Sequence, residues 1–299
     1  MQNHRSKDLL LSIFLAFRPK TLTAALVPCL AASALAYKHT GGFSWAMLTY
    51  ALLSAFCIQI GTNLVNDAVD FKKGADTEKR LGPQRITQAG ILSAKQVMIL
   101  ASVFFALAVL AGIPLVLQGG TVIVAIGLVS VLMGYAYTAG PFPLAYRGLG
   151  DLFVILFFGL LAVGGMYFLH VGQWHLDVFV LGLQIGLLSA VLIAINNLRD
   201  IDGDREVNKR TLAVRLGPKG ARFEIAVLVL LPFLLNFYWY QKGWEMAAIL
   251  PLFTVWLGEK IIKGVYKNEP GVIYNKFLGM SAGLHLLFGL TWSVGVWLK

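Results

Sequence analysis

Leu176-Asp177-Val178-Phe179-Val180-Leu181-Gly182-Leu183-Gln184-Ile185-Gly186-Leu187-Leu188-Ser189-Ala190-Val191-Leu192-Ile193-Ala194-Ile195 runs directly into Asn196-Asn197-Leu198-Arg199-Asp200-Ile201-Asp202-Gly203-Asp204. The first part is long and apolar enough to cross a bilayer as a helix, which takes about 20 residues. The second part puts three aspartates and two asparagines at its end. Asn63-Leu64-Val65-Asn66-Asp67-Ala68-Val69-Asp70 closes another apolar run in the same way. Carboxylates at a membrane edge are costly, so two such clusters point to a site.

Composition sets the class. Hydrophobic residues make up 58% of the 299 and charged residues 13%, against roughly 25% charged in a soluble domain. Mean hydropathy is +0.72. The expected fold is all-α: a polytopic membrane protein with about nine transmembrane helices around a central cavity, forming one domain over residues 1–299. Apolar runs lie near 21–37, 44–66, 93–112, 120–138, 149–169, 176–199, 219–240, 244–262 and 275–297. Residues 8–17 read as an interfacial helix, and Arg18-Pro19-Lys20 interrupts any cleavable signal. Cys29 and Cys57 fall inside apolar runs and read as small core residues.

Basic residues set the expected orientation. Of 25 Lys and Arg, only Lys38, Lys242 and Lys299 fall on one side of this arrangement. The positive-inside rule then places the N-terminus and both acidic clusters in the cytoplasm. The net charge of +10 follows from that bias and from contact with anionic lipid. No basic soluble module is present to bind nucleic acid.

Spacing inside the clusters carries the chemistry. On a helix Asn63, Asp67 and Asp70 stand at i, i+4 and i+7 and share a face, as do Asn197, Asp200 and Asp204 at i, i+3 and i+7. Acids at a helix C-terminus oppose the macrodipole and call for cations to hold them. Oxygen-only ligands suit a hard ion, and Mg2+ typically takes one or two carboxylates plus phosphate oxygens. Asp67, Asp70, Asp200 and Asp204 are therefore the candidate metal ligands, next to an anionic substrate. Lys73, Arg85, Arg147, Lys209 and Arg210, on the loops of the same expected side, are the bases that could contact phosphate oxygens, with Lys73 and Arg147 preferred.

Arg80-Leu81-Gly82-Pro83 and Arg215-Leu216-Gly217-Pro218 echo each other after the two clusters. With the repeated Asn/Asp pattern they suggest a duplication, with halves of about 1–145 and 146–299. Duplicated halves with intramembrane acids also describe transporters, the rival class. Transporters place such acids near mid-span, whereas both clusters here sit at one face.

The chain resembles the UbiA superfamily of intramembrane prenyltransferases, and within it the 1,4-dihydroxy-2-naphthoate branch of menaquinone synthesis. The resemblance rests on Arg18-Pro19-Lys20-Thr21-Leu22, on Asn63 to Asp76 with Lys73-Gly74-Ala75-Asp76, and on Gly82-Pro83-Gln84-Arg85-Ile86-Thr87-Gln88-Ala89-Gly90. Tyr137 to Pro141, Tyr146 to Asp151 and Asn196 to Asp204 complete it. Asp67 and Asp70 stand three apart, as in the naphthoate branch, while the 4-hydroxybenzoate branch usually spaces them by four. Asp151 stands where relatives often carry Glu.

That resemblance implies a transferase that joins a polyprenyl diphosphate to 1,4-dihydroxy-2-naphthoate, with loss of carbon dioxide and pyrophosphate. Its cofactor would be Mg2+ on Asp67, Asp70, Asp200 and Asp204, with Asn63 and Asn197 as neutral oxygen ligands. Lys73, Asp76, Arg85, Tyr137, Tyr146, Arg147 and Lys209 would contact substrates. The expected location is the plasma (inner) membrane, in contact with lipid, with the site on the cytoplasmic side. A UbiA-type enzyme with another ring, such as 4-hydroxybenzoate, is the alternative.

Overall fold

The computed structural model describes residues 11–76 and 80–298. Arg5, Lys7, Lys79 and Lys299, and residues 8–10 of the expected interfacial helix, lie outside the described residues. Among those described there is helix and no strand. The helices are α1 (Thr23–Thr40), α2 (Trp45–Lys72), α3 (Ala94–Ala136), α4 (Gly150–Val171), α5 (Leu176–Arg199), α6 (Ile201–Glu206), α7 (Leu212–Gln241), α8 (residues 245–267) and α9 (Tyr274–Trp297). Every apolar run read from the sequence falls on helix. Six helices, α2, α3, α4, α5, α7 and α9, are long and apolar enough to cross a membrane, by length and composition. One of these, α3, holds two of the runs; α1 and α8 are not among the six.

Local chemistry explains where the helices start and bend. Ser44 caps α2 by accepting from the Met47 amide, and Ser93 opens α3 with a reciprocal capping box to Gln96. The connection expected at 113–119 is helical instead, and the break is confined to Gly120, whose φ of 60° and ψ of −148° suit a residue without Cβ. The two Arg-Leu-Gly-Pro tetrads do not share a conformation. Residues 80–83 lie outside helix, whereas residues 215–218 lie inside α7, where it breaks at Gly217.

The core is built around α5. Its most apolar window is 78% buried inside the protein, against 17% for α3, so α5 is central and α3 peripheral. α5 packs on α4, α7 and α9, while α2 packs chiefly on α3. Small residues set the α4–α5 distance. A Cβ on Gly159 would lie 2.3 Å from the Gly182 carbonyl oxygen and 2.8 Å from Gly186 Cα. Such contacts let helix backbones approach closely where lipid gives no hydrophobic drive between helices.

One end of the bundle is tied by a buried ion cluster. The fully buried Asp177 accepts from Lys242 Nζ at 2.5 Å, from the Tyr238 hydroxyl, and from His39 Nε2 at 3.0 Å. Lys38 and Lys242 both lie against the Trp244 ring, so two of the three bases assigned by sequence to the minority side do meet at one end. Removing the ammonium leaves a buried carboxylate short of its charge partner. Lys242→Ala is expected to destabilise the protein by about 3 kcal/mol, read as a lowered unfolding temperature in detergent with Lys242→Arg as the control.

Candidate active site

The opposite end holds a cavity of about 800 Å³. Its walls come chiefly from α2, α4 and α5, and from the segments that precede α1 and follow α2 and α5. The helical spacing on α2 places Asn63, Asp67 and Asp70 together on this wall, all buried. The second cluster is arranged differently from the continuous helical face expected. α5 ends at Arg199, Asp200 adopts φ −97° and ψ 12°, and α6 then carries Asp204. Arg199 folds back on this break and grips the Asp200 carboxylate at 2.8 and 2.6 Å and Asn196 Oδ1 at 2.8 Å. Asn197, Asp200 and Asp204 still all line the cavity.

Asp67 organises the loop above α2. Its carboxylate accepts from the Ile86 amide at 3.2 Å, the Thr87 amide at 3.3 Å and the Thr87 hydroxyl. Asp70 accepts from Arg85 Nη1 at 3.1 Å and from the Tyr146 hydroxyl at 2.8 Å. Arg85 Nη1 also reaches the Asn66 carbonyl at 2.9 Å and Asp76 at 2.7 Å, and Arg80 pairs with the same Asp76. Lys209 joins the two clusters, its Nζ lying 4.0 Å from Asp70 and 3.4 Å from Asp204.

Burial and charge pull these groups in opposite directions. Burial alone would push Lys209 down, but Asp70 and Asp204 outweigh it and hold its ammonium up. Burial pushes the Asp204 carboxyl up to about 6, with Lys209 offsetting part of the effect. Burial likewise raises Asp76 against the pull of Arg85 and Arg80. It weighs against the charged form of Arg18, which Arg85 and Arg80 crowd further. An anion entering among these bases would relieve that crowding.

Several bases differ from the sequence expectation. Arg85 and Lys209 line the cavity, as do Arg18, Arg80 and Arg199, which the charge count did not single out. Lys73 and Arg147 do not line it. Lys73 donates to the Thr138 carbonyl at 3.2 Å and lies 4.0 Å over the Tyr146 ring, and the Arg147 guanidinium stacks 3.6 Å over Phe142. Tyr137 lines the cavity, whereas Tyr146 reaches Asp70 from outside its lining. Asp151 also lines it. Its signal in the sequence was only its place in the resemblance.

The donor set suits a hard cation. All candidate ligands offer oxygen, and the buried Asp204 Oδ2 has no hydrogen-bond partner among the described residues. The Asn63 amide nitrogen is taken by the Phe17 carbonyl and the Thr21 hydroxyl, which turns its oxygen into the remaining donor atom.

A family model described as the UbiA prenyltransferase family matches residues 25–282. The chain belongs to this family. Among UbiA relatives, the 1,4-dihydroxy-2-naphthoate octaprenyltransferase of Haemophilus influenzae is 38% identical over 71% of each chain. Its namesake from Bacillus subtilis is 30% identical over 93% of this chain and 90% of its own. A solved UbiA homolog from Aeropyrum pernix K1 superposes with a TM-score of 0.68 at 17% identity, over 92% of this chain and 96% of that one. An Archaeoglobus fulgidus UbiA homolog bound to DMAPP and Mg2+ gives 0.60 at 15% identity, over 96% and 100%. At these identities the solved structures speak to the fold, which is that of the UbiA membrane enzymes.

Proposed function

We propose that this aromatic prenyltransferase moves a polyprenyl group from its diphosphate to 1,4-dihydroxy-2-naphthoate, releasing pyrophosphate and carbon dioxide and giving demethylmenaquinol. The observation that carries the reading is the meeting of two aspartate clusters across Lys209, at a cavity whose other wall is apolar and aromatic. The naphthoate acceptor is supported by the relatives named for that ring. The placement of the apolar runs and of the bases supports a multi-pass membrane protein with the N-terminus and this cavity on the cytoplasmic side, and the bacterial relatives of the same family support the plasma membrane as its location.

Asp67, Asp70, Asp200 and Asp204 would hold Mg2+, with Asn63 and Asn197 as neutral oxygen donors. The ion would supply positive charge to the diphosphate as its bond to carbon breaks. Arg18, Arg80, Arg85, Arg199 and Lys209 line the same space and would donate to the diphosphate oxygens. Phe153, Phe157 and Phe158 face the cavity from α4 and exclude water from the allylic cation. Their ring faces also favour positive charge.

The purified protein would be incubated with geranylgeranyl diphosphate and 1,4-dihydroxy-2-naphthoate, with Mg2+ or with EDTA. Prenylated naphthoquinol with carbon dioxide release is expected in Mg2+, falling to background in EDTA and returning when Mg2+ is restored. Product formed only from 4-hydroxybenzoate in a parallel reaction would overturn the choice of ring. Product formed equally in EDTA would overturn the choice of metal.

A further inference from the structure

Asp151 is set apart from the other acids of the cavity. It sits in the first turn of α4, is 4% exposed, and lines the cavity. Neither of its carboxylate oxygens has a hydrogen-bond partner from another described residue, and its own backbone amide is the group that offsets its burial. Asp67, Asp70, Asp76, Asp200 and Asp204 are each hydrogen-bonded or ion-paired, and Glu206 is exposed. A buried carboxyl whose oxygens meet no donor from another residue is costly unless a ligand completes it.

The same cavity carries aromatic faces that fit a flat ring. Phe153 and Phe157 stack at 4.0 Å with an interplanar angle of 19°, and Tyr137 lies against Phe153 at 5.8 Å. The Tyr137 hydroxyl also abuts Gly150, where an added Cβ would lie 2.9 Å from it. α4 then passes through a π-helical turn, Ile155–Leu161, a feature frequent at functional sites. The bases that suit a diphosphate belong to other segments: Arg18 precedes α1, Arg80 and Arg85 follow α2, Arg199 closes α5 and Lys209 follows α6.

We propose that Asp151 is the catalytic proton acceptor for the hydroxyl of the aromatic substrate. The inference rests on the prenyltransferase reading above. As the allylic C–O bond breaks and its electron pair leaves with the diphosphate, the ring carbon bearing the carboxylate bonds to the allylic carbon. The adjacent hydroxyl becomes a carbonyl and its proton passes to Asp151. Carbon dioxide then departs, the C–C pair it leaves restores the aromatic ring, and the enolate oxygen takes the proton back. Protons and electrons balance with no further reactant.

Among the described residues, Tyr137 and Glu224 interact electrostatically with Asp151. Ser189, Asn196 and Asn197 face the same space from α5. The test compares wild type, Asp151→Asn, Asp151→Glu and Glu224→Gln for kcat, for KM toward each substrate, and across pH. Asp151→Asn is expected to lower kcat by about 100-fold or more, to keep KM for the prenyl diphosphate, and to lose the fall in kcat toward low pH. Asp151→Glu should restore most of the rate with a low-pH fall displaced from that of wild type, and Glu224→Gln should leave the wild-type rate and fall in place. Wild-type kcat in Asp151→Asn, or a loss that tracks KM for the diphosphate, overturns the assignment. Should Asp151→Asn fail to fold, Asp151→Glu decides: a displaced low-pH fall supports the role and an unmoved one overturns it. Wild type that prenylates only 4-hydroxybenzoate sinks the naphthoate reading instead, and the same comparison is then made on that ring's hydroxyl.

Discussion

Asp70→Ala is expected to lower prenyl transfer by about 10²- to 10³-fold, the scale of losing one electrostatic stabiliser of a charged transition state. The substitution removes a proposed metal ligand. It also strips a partner from Arg85, Lys209 and Tyr146 at once. A buried charge that loses its partner is strongly destabilising, so the melting temperature should fall as well. Asp70→Asn separates the two effects, because its side-chain oxygen still accepts from Tyr146 while the negative charge is gone. Radiolabelled prenyl transfer and thermal unfolding in detergent check both variants. An Asp70→Asn protein with wild-type activity would remove Asp70 from the metal site.

The second large effect is expected at the α4–α5 seam. Gly159→Val drives a Cβ to within 2.3 Å of the Gly182 carbonyl oxygen and 2.8 Å of Gly186 Cα. Both are backbone atoms, which cannot swing aside as a flexible side chain would. Overpacking of this kind costs about 3 kcal/mol or more, and it separates the helix that carries Asp151 from the helix that carries Asn197. Loss of the monodisperse folded species is the expected readout. Gly127→Val on α3 is the matched control, because its Cβ meets nothing within 4 Å, and it should fold normally. A stable, active Gly159→Val protein would mean that the seam tolerates separation.

Features set by local periodicity were legible in the sequence. Asn63, Asp67 and Asp70 fall together because the i, i+4, i+7 spacing lies within one unbroken helix. The same argument stopped short at Asp200, where Arg199 turns back on its neighbours and the helix breaks. The identity of the inward bases was not legible. Lys73 stands nearer to the first acids in sequence than Arg85 does, and Arg147 belongs to another loop with the same expected orientation, yet their cations rest on aromatic rings while Arg85 is buried between two aspartates. That choice is made by how the loops fold over the helix ends, and a count of positive charges per loop carries no such information. Asp151 was hidden for a related reason, since its burial depends on α5 and on the loop that brings Tyr137.

The two ends of the bundle differ in how completely their polar groups are matched. Asp177 is surrounded by donors from three other residues. Among the described residues nine buried side-chain atoms lack a hydrogen-bond partner, and seven of them belong to Arg18, Asp76, Arg85, Thr138, Asp151 and Asp204, all at the other end, with Asp76 Oδ2 held there by its ion pair to Arg85 alone. The molecule is therefore anchored at one pole and energetically unfinished at the other. Substrates arriving at the unfinished pole complete its structure as they bind, so amide exchange around residues 80–92 should slow on loading. Exchange at the Asp177 pole should stay as it was, which would make the resting enzyme a rigid base carrying a soft, ligand-set mouth.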